Sequence, residues 1–276
     1  MNRSVYITRL ASFLPNDPVS NDQIETMLGL INGQSSKAKP LILRNNQIKT
    51  RYYALDKEGH ATHTNSQLAK EAVVKLLDQD FDLSRVEILS CGTTSPDQLL
   101  PAHAAMVHGE LGGHTMEINS ASGACSAGIQ ALKFGYLSVL SGSANNAVCT
   151  GSERFSRWML AKFFKEEAAK VARLEGDGII AFEKDFLRFM LSDGAGAALL
   201  QSAPNPSGLS LKIEWIEQRS FANELPTCMY AGAIKEPNGD FVGWPDLDQD
   251  QWSSQSVFAI KQDTKLLGDF IVKKSI

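Results

Sequence analysis

Long hydrophobic runs are missing from this sequence of 276 residues, and so is a strong excess of either charge. Its apolar stretches are interrupted by Lys, Asp or Gly well before the ~18 residues that a membrane-spanning helix needs. Residues 1–20 have no basic start followed by an apolar core, so no secretory signal is expected. The formal net charge of −4 and the absence of a strong basic block argue against nucleic-acid binding.

Cysteine is scarce, and the four cysteines form neither a CxxC pair nor a metal-ligand spacing. A miniprotein stapled by disulfides is therefore excluded, and we expect free thiols in a reducing cytoplasm. Hydrophobic residues make up 43% and charged residues 21% of the chain, which is the mix of an ordinary globular protein rather than a disordered one.

Short apolar strands alternate with amphipathic helices along the chain. Strands are predicted at 5–10, 86–91, 115–118, 146–150, 189–192, 197–200 and 211–216, with a tight turn at Asp193–Gly196. Helices are predicted at 24–28, around Ala69–Leu76, from Pro101 to Leu111, after Cys125, and at the C-terminal end, where Val257, Ile260, Leu267 and Ile271 mark one face. The alternation predicts an α/β layered fold with parallel strand pairs.

Cys125 is the cysteine whose neighbours indicate chemistry. Residues 120–128 read Ser-Ala-Ser-Gly-Ala-Cys-Ser-Ala-Gly, at the start of a predicted helix. Small neighbours leave room for a ligand, and a helix start supplies free N–H groups and a positive dipole end, which favour thiolate over thiol. A nucleophilic cysteine that accepts an acyl group has these requirements. The alternative is a small buried cysteine where two helices pack closely through Gly and Ala.

Three motifs follow one another in the order of a known enzyme family. Residues 91–101 read Cys-Gly-Thr-Thr-Ser-Pro-Asp-Gln-Leu-Leu-Pro, the Cys125 segment follows, and residues 192–197 read Ser-Asp-Gly-Ala-Gly-Ala. With these motifs the sequence resembles the β-ketoacyl-ACP synthase III family of condensing enzymes, where ACP is the acyl-carrier protein. Residues 6–8, 13–15 and 48–53 look most like the branch that makes dialkylresorcinol or cyclohexanedione precursors. The resemblance implies a thiolase-like layered fold.

The resemblance also implies a reaction. Cys125 would accept an acyl chain from a CoA or ACP thioester, and a malonyl- or β-ketoacyl-type donor would attack it in a Claisen-type condensation. The backbone N–H of Cys125 would supply part of an oxyanion hole. Leu100 occupies the position from which family members reach across the dimer to the partner's acyl pocket, and Arg44 aligns with an arginine that contacts CoA. No cofactor is implied.

The partners follow from the same resemblance. They are an acyl-carrier protein or acyl-CoA, together with a second copy of the chain in a homodimer, for which we assign the pairing strand to 146–150. The aromatic residue that stacks on adenine in the family is not evident around Lys39–Ile42, which favours a carrier-protein thioester over CoA. Fatty acid or polyketide biosynthesis in the cytoplasm is the expected setting.

The second half of the chain departs from the family pattern. All five histidines precede Cys125, whereas the family's catalytic His and Asn follow the helix that ends near Ile276. We therefore expect a complete thiolase-like half at 1–205, with an insert at 153–188, and a truncated half at 206–276. On this expectation the fragment is inactive in the condensation. A non-catalytic partner subunit of a complete ketosynthase and a cysteine hydrolase are the alternative functions.

The insert and one helix contain further candidates, each with a structural alternative. Basic residues of the insert either dock an acidic carrier protein or form a solvated helix face. These residues are Arg154, Arg157, Lys162, Lys165, Lys170 and Arg173. Its apolar residues are candidates for covering an acyl tunnel, namely Phe155, Trp158, Met159 and Phe163. His103 and His108 are expected on a helix surface or at an interface.

Overall fold

The computed structural model of the chain describes residues 3–164, 186–236 and 238–274. Its strands are β1 (Tyr6–Phe13), β2 (Val19–Ser20), β3 (Thr50–Arg51), β4 (Ile88–Thr93), β5 (Glu117–Ser122), β6 (Asn146–Glu153), β7 (Gly194–Gln201), β8 (Leu211–Lys212), β9 (Met229–Tyr230), β10 (Ala233–Lys235), β11 (Phe241–Gly243) and β12 (Lys261–Gln262). Its α-helices are α1 (Ile24–Leu28), α2 (Lys39–Asn46), α3 (Asn65–Val74), α4 (His103–Leu111), α5 (Ala127–Ser141), α6 (Gln249–Ser254) and α7 (Thr264–Lys274).

One six-stranded sheet organises these elements, with the strand order β5-β4-β6-β7-β1-β8. Strand β4 is parallel to both β5 and β6, whereas the β6–β7, β7–β1 and β1–β8 pairs are antiparallel. Helix α4 connects β4 to β5, and α5 connects β5 to β6, because parallel neighbours need a crossover connection. The α/β class that the sequence predicts is therefore confirmed.

Alternate side chains of the central strands face two different layers of helices. Leu89 of β4 and Leu199 of β7 belong to a buried cluster with Val107 of α4. Ile88, the neighbour of Leu89, belongs to a separate cluster with Val139 of α5. Successive strand residues point to opposite faces of a sheet, so helices cover both faces. As a result, β4 is buried along its whole length.

A third buried cluster lies under the polar segment 33–63. Ile42 of α2 and Tyr53 pack there with Phe155 and Met159, which follow β6 in the chain. The segment is therefore tied to the folded core through its few apolar side chains, and the first turns after β6 complete that core.

Two expectations about the second half of the chain are wrong. Asp193–Gly196 is not a turn between two strands, because a single strand, β7, already begins at Gly194 and residues 189–192 form no strand. Val257 and Ile260 do not belong to the C-terminal helix, because α7 begins only at Thr264.

The assignment of residues 146–150 as the strand that pairs in the dimer is also wrong. Strand β6 contains residues 146–150 and is hydrogen-bonded on both sides, to β4 and to β7, so it has no free edge. The free edge at this end of the sheet belongs to β5, whose side chains are largely exposed.

None of the helices in the described part of the chain combines the length and the apolar character that crossing a membrane requires. The division into residues 1–205 and 206–276 stays a prediction. Most of the insert at 153–188 lies outside the described residues, which end at Phe164 and resume at Phe186.

Candidate active site

Cys125 lies in the connection between β5 and α5. Strand β5 ends at Ser122 and α5 begins at Ala127. We call residues 123–126 the nucleophile turn, after the role that the sequence predicts for Cys125. Cys125 has a φ of +59°, a left-handed conformation that is uncommon for residues other than glycine. Its side chain is exposed. Conformations of this kind persist where the surrounding structure enforces them, and they concentrate at functional sites.

Glycines bring the start of α5 close to the sheet. A Cβ on Gly92 of β4 would overlap the backbone of Ala127 and Gly128. A Cβ on Gly151 of β6 would lie 3.2 Å from the Cα of Gly128. The small residues around Cys125 therefore pack a helix against strands, not one helix against another. This packing leaves Cys125 itself exposed, unlike the buried cysteine of the alternative interpretation.

A cavity of about 340 Å³ opens beside Cys125, and we call it the small cavity. Glycines of β4, α5, β6 and β7 line it together with Cys125, Ser152 and Glu153. Because glycine carries no side chain, a ligand in this cavity can approach the protein backbone closely.

Glu153 provides the charge in the wall of the small cavity. Its carboxylate accepts hydrogen bonds from the backbone N–H groups of Thr94 at 2.7 Å and Ser95 at 3.0 Å, and from the Ser95 hydroxyl at 2.6 Å. The Thr94 hydroxyl donates in turn to the backbone carbonyl of Gly123 at 2.7 Å. Glu153 therefore fixes the loop after β4, and that loop holds the nucleophile turn.

The environment raises the pKa of the Cys125 thiol. Partial burial is the main cause, and the carboxylate of Glu153 and the thiol of Cys228 raise the pKa further. These effects oppose the one predicted for the helix start, because they favour the protonated thiol. Cys91 and Cys149 are buried inside the protein. Burial raises the pKa of Cys91 to about 12 and also raises that of Cys149, so neither thiol is a competing nucleophile.

A larger cavity of about 560 Å³ also borders the nucleophile turn, and we call it the aromatic cavity. Ser122, Gly123 and Ala124 form part of its wall. The remaining wall includes the apolar side chains Leu99, Trp158, Met229, Tyr230, Trp244, Phe258 and Ile260. The turn that carries Cys125 therefore has a small cavity and a large apolar cavity next to it.

Comparison with known proteins identifies relatives, although no family model matches the chain. The β-ketoacyl-[acyl-carrier-protein] synthase III 1 of Lactiplantibacillus plantarum is 25% identical over 230 residues, which are 83% of this chain and 60% of that protein. The synthase III of Bordetella petrii is 27% identical over 248 residues, or 90% of this chain and 64% of that protein. The chain thus spans less than two thirds of the length of these curated relatives.

Solved structures show the same fold. AbyA1, a tetronic acid condensing enzyme, superposes with a TM-score of 0.65 at 22% identity, over 96% of this chain and 68% of that one. FabH of Pseudomonas aeruginosa PAO1, a 3-oxoacyl-(acyl carrier protein) synthase III, gives a TM-score of 0.64 at 18% identity. The superposition covers 96% of this chain and 66% of that one. The chain has a thiolase-like fold and is similar in sequence to β-ketoacyl-ACP synthase III enzymes. The resemblance of the three motifs and the thiolase-like fold are thereby confirmed.

The two predicted substrate-binding residues of this synthase III-like chain lie apart from Cys125. Leu100 is 83% exposed, between β4 and α4, and Arg44 is exposed on α2. Neither side chain lines the small cavity or the aromatic cavity, although Leu99, the neighbour of Leu100, lines the latter. The roles assigned to Leu100 and Arg44 stay predictions.

The apolar residues at the start of the insert separate into two groups. Phe155 and Met159 are buried in the third cluster, so they build the fold rather than an acyl tunnel. Trp158 lines the aromatic cavity, whereas Phe163 is half exposed. Of the four residues, Trp158 alone contributes to the wall of the aromatic cavity.

The basic residues of the insert are only partly described. Arg154 forms an ion pair with Asp97 at 3.1 Å, and Arg157 donates to the backbone carbonyl of Gly59 at 3.2 Å. Both guanidinium groups thus hold neighbouring loops in place. Lys165, Lys170 and Arg173 lie outside the described residues.

His103 is buried within the chain, so the prediction that it lies on a helix surface or at an interface is wrong. It is the first residue of α4, and its Nε2 lies 3.1 Å from the hydroxyl of Ser152 on β6. Burial lowers the pKa of His103, partly opposed by the nearby Asp97, and therefore favours the neutral ring. His108 is partly exposed and lies 3.0 Å from the backbone carbonyl of His114, as a surface position predicts.

Sequence reasoning missed Ser152 and Glu153 as residues of the site. A signal was present, since strands β5, β4 and β6 are parallel and their carboxyl ends therefore meet at one edge of the sheet. Polar residues follow or end each of these strands, at Thr93–Ser95, in the Cys125 segment and at Ser152–Glu153.

Proposed function

We propose that this chain is an acyltransferase whose nucleophile is Cys125. Cys125 takes an acyl group from a CoA or ACP thioester. The same reaction class continues with a Claisen-type condensation with a malonyl- or β-ketoacyl-carrier thioester, a step that residues 1–276 alone are predicted not to complete, because they contain no counterpart of the family's catalytic His and Asn. The observation that supports this function is the exposed thiol, presented at positive φ in a turn that borders two cavities. The condensing activity named for the relatives supports the same reaction class.

The first step is a thioester exchange. The Cys125 thiol loses its proton as its sulfur attacks the carbonyl carbon of the incoming thioester. The bond between that carbon and the carrier's sulfur breaks, and the proton ends on the carrier thiol. Backbone N–H groups at the start of α5 have no partner within the helix and are suited to stabilise the oxyanion of the tetrahedral intermediate.

We also propose that two copies of the chain pair through the edge of β5. An unpaired strand edge invites another strand, and two copies related by a twofold axis would both satisfy their edges. Ile118 on this strand is 39% exposed, and Leu99 and Leu100 are 72% and 83% exposed. Pairing that covers these side chains would bring Leu100 towards the partner, as the family resemblance implies.

Acylation measured by intact mass tests the proposed nucleophile. The chain is incubated with acyl-CoA and, separately, with acyl-ACP, and we expect a mass gain of one acyl group. The gain should disappear in Cys125→Ala and persist in Cys228→Ala, the matched control, because Cys228 is the other cysteine that is not buried. A gain that survives Cys125→Ala would contradict the proposal. An unlabelled Cys125 in a stable hetero-oligomer would favour the non-catalytic partner subunit instead.

A further inference from the structure

Cys228 is the one cysteine besides Cys125 that is not buried, and it lies near the nucleophile turn. We propose that Cys125 and Cys228 form a dithiol site, which a peroxide converts into a disulfide within one chain. The disulfide occupies the sulfur of Cys125 and is removed by a thiol reductant. The oxidation does not depend on the proposed function, whereas its effect on acyl transfer rests on that function.

Contacts on both sides of Cys228 place its segment beside the nucleophile turn. Met229, the next residue, lines the aromatic cavity together with Ala124, which directly precedes Cys125. Earlier in the segment, the side-chain amide of Gln218 donates a hydrogen bond at 3.4 Å to the backbone carbonyl of the residue that directly follows Cys125. The segment that contains Cys228 therefore meets the nucleophile turn both before and after the reactive sulfur.

The electrostatics of the two thiols agree with this position. Cys228 is one of the groups that raise the pKa of Cys125, after partial burial and the carboxylate of Glu153. Because charges near the surface are largely screened beyond about 10 Å, an influence of this kind requires that the groups lie close together. Cys91 and Cys149 are buried, so neither is accessible as a partner for Cys125.

The chain around both cysteines is able to bring the two sulfur atoms together. A disulfide needs Cα atoms about 4.4–6.8 Å apart. Residues 213–228 belong to no helix or strand, and Cys125 lies in a turn. The carbonyl of Cys228 accepts a hydrogen bond from the backbone N–H of Asp263 at 2.7 Å, which keeps this end of the segment at the aromatic cavity. Irregular segments move at a low cost in free energy, so the sheet is not disturbed.

The oxidation needs one molecule of hydrogen peroxide for each disulfide. The thiolate of one cysteine attacks an oxygen of the peroxide, the O–O bond breaks, and a sulfenic acid and hydroxide form. The thiolate of the other cysteine attacks that sulfur, the S–S bond forms and a second hydroxide leaves. The two thiols lose two electrons and two protons in total, and the peroxide is reduced to two molecules of water.

The disulfide protects Cys125 while it blocks it. An exposed sulfenic acid without a neighbouring thiol is oxidised further, to sulfinic and sulfonic acids that thiol reductants do not reverse. A thiol at Cys228 traps the sulfenic acid before that step. We therefore infer that oxidation switches Cys125 off reversibly.

Counting thiols after oxidation tests the dithiol site. The reduced protein is treated with an excess of hydrogen peroxide in mildly alkaline buffer, because the thiolate is the reacting form. It is then unfolded in the presence of N-ethylmaleimide, and its peptides are analysed by mass spectrometry. The chain has four cysteines, and we expect the oxidised wild type to bind two labels instead of four. Cys125 and Cys228 should appear in one linked peptide pair, and dithiothreitol should restore all four labels.

Removing the second thiol makes the test specific. Cys228→Ser keeps the size of the side chain, and we expect no linked pair in this variant. The fraction of Cys125 that dithiothreitol recovers after peroxide should be at least about fivefold lower than in the wild type, because the sulfenic acid is oxidised further. Thermal unfolding before oxidation checks that the variant folds.

Ser207→Cys, added to Cys228→Ser, is the matched control, because it restores the number of thiols at a distant and exposed position. Strand β7 begins at Gly194, in the wall of the small cavity, and ends at Gln201, so Ser207 follows the opposite end of the sheet. Eight residues of strand span roughly 25 Å. This variant should form no linked pair with Cys125.

Each outcome decides the inference. Four labels on the wild type after peroxide would overturn it, and so would a linkage between two chains or a pair that the control variant forms as readily. A linked Cys125–Cys228 pair in a chain that accepts no acyl group would uphold the dithiol site while the proposed function fails. Acylation that stops on oxidation and returns with dithiothreitol would support both.

Discussion

Replacing Gly92 with alanine tests how closely α5 is held against β4. A Cβ at this position would overlap the carbonyl of Ala127 and the backbone nitrogen of Gly128. Because these are backbone atoms, no side-chain rotation relieves the overlap, and the start of α5 has to move away from the sheet. The nucleophile turn precedes α5 directly, so Cys125 has to move with it.

The expected loss of stability in Gly92→Ala follows from the kind of atom that the added Cβ would overlap. Overpacking a well-packed core costs about 1–3 kcal/mol, and an overlap with backbone belongs at the upper end, at about 3 kcal/mol. For a chain of this size each kcal/mol lowers the melting temperature by roughly 2–4 °C, so Gly92→Ala should lower it by roughly 6–12 °C. Gly109→Ala is the matched control. Gly109 lies in α4 with no atom within 4 Å of an added Cβ, and alanine there favours the helix by about 1 kcal/mol.

Two measurements check this prediction. Circular dichroism gives the melting temperature, and the rate of iodoacetamide alkylation at Cys125, read by peptide mass, reports the geometry of the turn. We expect Gly92→Ala to melt lower and to change the alkylation rate, and Gly109→Ala to do neither. The reasoning would be refuted if Gly92→Ala melted within about 2 °C of the wild type and its Cys125 were alkylated at the wild-type rate. A shift of that size corresponds to a loss of stability under about 1 kcal/mol.

Three further predictions follow from other contacts. Asp193→Ala removes a buried carboxylate that accepts a hydrogen bond from the backbone N–H of Ser156 at 2.8 Å. Because its donors are then left unpaired, the free energy of unfolding measured in urea should fall by about 3 kcal/mol, and a fall of less than about 1 kcal/mol would contradict this. Glu153→Gln removes the negative charge that raises the pKa of Cys125, so the pH profile of alkylation should shift to lower pH, and an unchanged profile would exclude that cause. Thr64→Ala breaks the capping box of α3 and should cost about 1 kcal/mol in the same unfolding assay, whereas no loss would show that the cap is not needed.

The sequence predicts the core of the sheet well because two local signals agree there. The apolar strands around Leu89 and Val148 are flanked by helices with apolar residues at helical spacing, and no other packing buries both. The position of Cys125 at the start of a helix was predicted for a similar reason, since Ile129 and Leu132 begin a clear helical pattern right after a run of small residues.

The errors arise where distant residues decide the local structure. Phe189 and Leu191 have the apolar character of a strand, but they pack into the third cluster with residues far away in the chain. Val257 and Ile260 have helical spacing, yet Ser256 has a φ of +48° and β12 follows, so the helix begins later. Local periodicity contains no information on either constraint.

The pKa of Cys125 could not be predicted from its own segment, because Glu153 comes from a different strand. Glu153 holds Thr94, and Thr94 holds the carbonyl of Gly123, two residues before Cys125. The carboxylate that positions the turn therefore also opposes the thiolate. The two effects are compatible with catalysis, because the intrinsic nucleophilicity of a thiolate falls as its pKa falls. In the proposed acyl transfer, the thiol of Cys125 therefore has to lose its proton as it attacks the thioester carbonyl, and the sulfur that results is a strong nucleophile.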